Sequence, residues 1–193
     1  AVTTGATIVG SRAADAITGS KFADKITGGE GADTITAGAG NDTINLLESV
    51  SAVDTIRINT IAESTTSANV KTISNFVSGV DKINFAQGAL SLTGVTTDGT
   101  SAVSAMSAAV ANTTTVNSIA DVYTALATYT TLTASAADGS ATIAQAYTFA
   151  NGTAAGTYVV VNDATAGFQA ATDVVIHLTG TTTIAAGDFT FDV

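Results

Sequence analysis

Asp15, Asp24, Asp33 and Asp42 recur at one fixed interval, and each is followed two residues later by an isoleucine: Ile17, Ile26, Ile35 and Ile44. The segments GSRAADAIT (10–18), GSKFADKIT (19–27), GGEGADTIT (28–36) and AGAGNDTIN (37–45) therefore align as four nonapeptides without gaps. Evenly spaced carboxylates in a chain with no cysteine and one histidine suit a hard cation, which takes oxygen ligands. Gly28, Gly29, Gly31, Gly38 and Gly40 surround Asp33 and Asp42 in sequence. Glycines admit positive φ, so a tight turn can converge its carbonyl oxygens on one point while the aspartate adds an anionic oxygen. Each such turn is expected to form a Ca²⁺ half-site with Asp15, Asp24, Asp33 or Asp42.

Elements of a particular kind must position these turns. The residues after each aspartate predict a short strand with its central isoleucine inward and its neighbours outward. If two nonapeptides make one coil, Asp15 stacks over Asp33 and Asp24 over Asp42, and the isoleucines stack as a core. Like charges a strand spacing apart, ~4.8 Å, repel, so folding should be linked to the ion. After Asn45 the register breaks at LLESVSAVDTI (46–56), where Asp54 and Ile56 arrive three residues late. The insertion should loop out at the edge, with Asp54 adding an oxygen over the Asp33 turn and Glu48 a weaker candidate.

This pattern, G-G-x-G-x-D-x-U-x, resembles the repeats of the RTX family, bacterial proteins exported by type I secretion systems. Ser11 and Ser20 stand where the family prefers its second glycine, and Ala13 and Phe22 where it prefers the next. A β-carbon disfavours positive φ, so these two turns are expected to bind less well. VKTISNFVSGVDKINFAQGAL (70–90) is similar to the segment that closes β-rolls in the serralysin and S-layer members, with Asn75 in place of the commoner aspartate. Asp81 is the further Ca²⁺ ligand that this resemblance implies.

Residues 101–135 turn alanine-rich. Ser118 and Asp121 space as a capping box ahead of Ile119, Val122, Tyr123 and Leu126, which predicts a helix at 118–130, with a second near 101–111. These are expected to pack across the end of the roll. Strands are predicted at 141–150, 156–163, 172–180 and 182–193, with turns at Asn151-Gly152, Asn162-Asp163 and Gly180. The fold expected is mainly β: a parallel β-roll over 1–90, then an antiparallel β-rich cap over 91–193 with one or two short helices. The last six residues, from Asp188, are similar to the C-terminal signal of type I exporters.

Composition narrows the function. A net charge of −10 argues against nucleic acid, whose phosphates need Lys and Arg. No H-E-x-x-H, G-x-S-x-G or G-x-x-x-x-G-K-[ST] motif occurs, and His177, alternating with apolar residues, suits a structural role. The N-terminus shows no basic and apolar signal-peptide pattern, and its start at Ala fits a piece of something longer. The resemblance implies a non-enzymatic module that crosses a type I secretion apparatus unfolded and folds on Ca²⁺ outside the cell. An Ala- and Thr-rich chain without Cys or Pro resembles S-layer proteins, which implies self-association into a lattice at the cell surface. The alternative is the C-terminal domain of a secreted RTX protease or lipase.

Overall fold

The computed structural model describes residues 4–64, 66–86, 110–128, 144–161, 167–180 and 183–191. Eight short strands wind the first part: β1 (Thr7–Val9), β2 (Ala16–Thr18), β3 (Lys25–Thr27), β4 (Thr34–Thr36), β5 (Thr43–Asn45), β6 (Thr55–Ile58), β7 (Lys71–Ser74) and β8 (Lys82–Phe85). In β2 to β5 only the central isoleucine is fully buried. A strand of three residues has one inward position, and an isoleucine filling it contributes about 2–3 kcal/mol of burial.

Each turn carries the chain across the coil, so odd-numbered strands form one sheet and even-numbered strands the other. All pair in parallel. Ile8, Ile26, Ile44 and Ile73 stand in register along one sheet, and Ile17, Ile35, Ile56 and Ile83 along the other. The two isoleucine ladders make a common core. Sequence reasoning missed the first coil, whose Ile8 lies one repeat before Ile17 but whose Ala6 replaces the aspartate.

Beyond the roll follow β9 (Val110–Thr115), a helix α1 (Ile119–Leu126), β10 (Ala144–Asn151), β11 (Gly156–Val161), β12 (Val174–Thr179) and β13 (Phe189–Phe191). β10, β11 and β12 are antiparallel neighbours, as expected. β12 then adds to β7 in parallel, Leu178 against Ile73, and β13 adds to β8, Phe189 against Ile83. Both ladders of the roll therefore run on into the C-terminal strands, and one core joins them.

Several expectations need correction. Of the strand predicted at 182–193, residues 182 and 192–193 lie outside the described ones, and the described part is strand only in β13, because the Asp188 carboxylate accepts the Ala185 N–H at 2.8 Å and folds the preceding residues into a turn. The helix predicted at 118–130 ends at Leu126, and residues 129–130 lie outside the described ones. Its capping box is present as predicted, with Asp121 N–H donating to Ser118 Oγ. Of the helix predicted at 101–111, residues 101–109 lie outside the described ones and Val110 opens β9. Nor does α1 cover the roll end. Val122, Tyr123, Ala125 and Leu126 pack with Tyr147, Phe149, Tyr158, Val160 and Val175 on the far face of the C-terminal sheet. β11 dictates this, since Val159 and Val161 fill the roll core while Tyr158 and Val160 point the other way and need their own cover.

Candidate metal centre

Every aspartate of the repeats stands immediately before a strand, so the parallel register stacks them along the two edges where the turns lie. On the first edge, Asp33 Oδ1 accepts the Asp15 N–H at 2.9 Å and Asp54 Oδ1 the Asp33 N–H at 2.9 Å. Asp81 Oδ1 then accepts the Asp54 N–H at 3.1 Å. On the second edge, Asp24 Oδ1 accepts the Ala6 N–H at 2.5 Å and Asp42 Oδ1 the Asp24 N–H at 2.8 Å. The structure thus brings Asp15 to Asp33 and Asp24 to Asp42, and it adds Asp54 and Asp81 to the first stack.

The second oxygen of each carboxylate separates the turns into two kinds. In the serine turns it is taken up locally: the Ser11 N–H donates to Asp15 Oδ2 and the Ser20 N–H to Asp24 Oδ2, each at 2.5 Å, and Ser20 Oγ reaches Asp24 Oδ1 at 3.0 Å. Asp81 Oδ2 is likewise held, by the Val77 N–H at 2.7 Å. In the glycine turns, Gly29 (φ 115°), Gly31 (φ 98°), Gly38 (φ 86°) and Gly40 (φ 112°) take the left-handed conformation, and the local N–H no longer closes on the carboxylate. Asp33 Oδ2 is buried and accepts no hydrogen bond, and the same holds for Asp54 Oδ2, whose turn in the insertion has no glycine. Gly28 makes room for the first of these, because a β-carbon there would stand 2.6 Å from Asp33 Oδ2.

A buried carboxylate oxygen without a donor is costly unless a cation meets it. The first stack also concentrates negative charge. Burial, then the charges of Glu48, Asp81 and Asp33, push the Asp54 pKa up to about 7, against the opposing bond from Asp33. Asp33 and Asp81 are raised as well, both chiefly by burial. Asp15 is lowered by its bonds from Ser11, and in Asp24 the bonds from Ala6 and Ser20 outweigh burial. Glu48 arches the insertion over the turn, accepting the Gly31 N–H at 2.8 Å and the Ala52 N–H at 2.6 Å. Two anionic oxygens, aligned carbonyl-rich turns and an excess of negative charge make a donor set that fits Ca²⁺. Among the described residues no three acidic, histidine or cysteine side chains converge to hold a metal, so an ion there would draw most of its ligands from main-chain carbonyls.

Asp42 differs from Asp33. Its Oδ2 lies 2.9 Å from Lys71 Nζ, with both side chains fully buried. Burial raises Asp42 and lowers Lys71, and the contact between them opposes both shifts. Sequence reasoning did not find Lys71; its one signal is a lysine opening the strand that follows the loop between β6 and β7. His177 is buried in β12 and stacks on Tyr158, with ring centres 4.2 Å apart, and burial lowers its pKa.

The family model described as RTX calcium-binding nonapeptide repeat (4 copies) matches residues 9–44. No curated protein sequence matches the chain significantly. Among solved structures, the chain is similar to a subunit of the Azotobacter vinelandii mannuronan C5-epimerase, at 18% identity and a TM-score of 0.35, over 93% of this chain and 79% of that one.

Proposed function

We propose that this chain, whose residues 9–44 are RTX calcium-binding nonapeptide repeats, is an extracellular module that folds on calcium after type I secretion. The observation that carries the reading is the pair of buried oxygens, Asp33 Oδ2 and Asp54 Oδ2, that no donor meets. They would hold the ion together with carbonyls of the Gly28–Asp33 turn, and Asp81 and Glu48 would supply field from further off. Bound Ca²⁺ supplies the positive charge that offsets this stack. Asp15 and Asp24, whose oxygens are engaged by Ser11 and Ser20, brace their turns instead.

Residues 1–90 would form the calcium-dependent roll and residues 91–193 its cap and export signal. The pairing of β12 with β7 and of β13 with β8 supports a cap that closes both open sheet ends. A chain carrying −10 charge resists collapse at the low Ca²⁺ of a cytosol, which suits passage through an exporter in an unfolded state. A surface-layer parent is supported by the small share of charged residues, 11%, and the abundance of Ala and Thr, and by Leu47, Val50 and Val53, which lie exposed on the insertion and would offer contacts to a lattice neighbour. Equilibrium dialysis against Ca²⁺ tests the binding site. The Asp33→Asn/Asp54→Asn chain should lose the tightest ion, whereas binding equal to that of the unsubstituted chain would refute the assignment.

A further inference from the structure

Thr72 pairs with Thr43 in the sheet, and its N–H donates to Asp42 O as the Thr43 N–H donates to Asp24 O. By register, Lys71 therefore occupies the ladder position held by Asp24 and Asp42 in the two coils before it. Where the first edge continues with the carboxylates of Asp54 and Asp81, the second continues with an ammonium.

The environment of that ammonium consists of oxygens. Lys71 Nζ donates to Gly40 O at 3.0 Å, to Asn69 O at 3.4 Å and closely to Glu63 O. It meets Asp42 Oδ2 at 2.9 Å as an ion pair rather than along a hydrogen-bond direction. Gly40 is a positive-φ glycine of the repeat turn, and Asn69 holds the same residue from above through its Oδ1 on the Gly40 N–H at 3.1 Å. One carboxylate oxygen and three carbonyls around a buried positive charge form a set that a hard metal ion would also accept. A lysine ammonium is a compact point charge of the kind that can stand there.

We infer that Lys71 is a tethered cation: its ammonium fills in the Asp42 turn the place that calcium takes beside Asp33 and Asp54, so this edge of the roll closes without metal. Asp42 is then no calcium ligand in the folded chain. The two edges divide the labour, one fixed by a side chain and the other dependent on the ion. The inference rests on the reading that Asp33 and Asp54 take calcium only for that contrast.

Counting bound Ca²⁺ on the full chain by equilibrium dialysis, with thermal unfolding in chelator and in saturating Ca²⁺, tests it. Lys71→Ala opens the oxygens and leaves room for water, so it should bind one more ion than the unsubstituted chain. It should also melt lower in chelator and recover in Ca²⁺ but not in Mg²⁺. Asp42→Asn should leave the ion count unchanged, unlike Asp33→Asn, which should lower it. The inference is overturned if Lys71→Ala gains no ion or stays unfolded in saturating Ca²⁺, or if Asp42→Asn loses an ion. If Asp33→Asn loses none while Lys71→Ala gains one, the Asp33–Asp54 assignment fails and the role of Lys71 stands.

Discussion

Asp54 Oδ1 accepts the main-chain N–H of Asp33 at 2.9 Å, while Oδ2 of both residues is buried without a donor. One oxygen of each carboxylate thus locks successive coils together, and the other is left for a cation. The same side chain sets the register of the roll and, on the proposed reading, would make its closure depend on an ion.

That arrangement fixes the sign of a pH effect. Asp33, Asp54 and Asp81, which no cation meets among the described residues, have raised carboxyl pKa values in the folded chain, so the metal-free fold holds protons that the unfolded chain releases. Their contribution to stability is full below the unfolded carboxyl value, roughly 4, and is lost as pH rises through the Asp54 value of about 7. Buried His177, whose pKa is lowered, contributes in the opposite direction, so the effect is read against the Asp54→Asn chain, which shares it. Relative to that chain, urea midpoints in metal-stripped buffer should fall between pH 5 and pH 7, and saturating Ca²⁺ should flatten that fall. A midpoint that rises over this range relative to Asp54→Asn without metal contradicts the charge stack.

Gly29 and Gly79 both have positive φ, but their surroundings differ. A β-carbon on Gly29 would lie 2.2 Å from Ser11 O in the neighbouring coil, whereas one on Gly79 meets nothing within 4 Å. Gly79→Ala should cost only the conformational term, about 1–2 kcal/mol. Gly29→Ala should cost clearly more and lower Ca²⁺ affinity as well, read from urea unfolding and a calcium titration.

The serine turns should behave as braces. Ser20 Oγ donates to Asp24 Oδ1 at 3.0 Å and accepts the Phe22 N–H at 3.1 Å. Ser20→Ala should therefore lower stability by about 1–2 kcal/mol without changing the number of ions bound. Loss of an ion would place calcium in the serine turn.

Much of this was legible because the nonapeptide carries its own markers. Ile17, Ile26, Ile35 and Ile44 give the strands, and two repeats per coil put Asp15 with Asp33 and Asp24 with Asp42, as the hydrogen bonds between them record. The Ser11 and Ser20 turns, whose N–H groups close on Asp15 and Asp24, stand where the glycines are missing. The coil of Ile8 was hidden because Ala6 removes the carboxylate that marks a repeat. Lys71 was hidden by distance, since an insertion separates it from Asp42 and only the pairing of Thr72 with Thr43 restores the register. Near the C-terminus, alternating apolar residues read as one strand, but Asp188 also binds Ser78 Oγ at 2.6 Å and the Gly79 N–H at 2.7 Å. Those tertiary bonds to the last turn of the roll override the local pattern.

The most direct test of the central claim is a Ca²⁺ titration of chelator-treated protein followed by far-UV circular dichroism, with Mg²⁺ as the control. A gain of β-structure that Ca²⁺ produces and Mg²⁺ does not, abolished in the Asp33→Ala/Asp54→Ala chain, is the predicted result. A chain already folded in chelator and indifferent to Ca²⁺ would contradict the account, and the repeats would then be a solenoid held by hydrogen bonds alone.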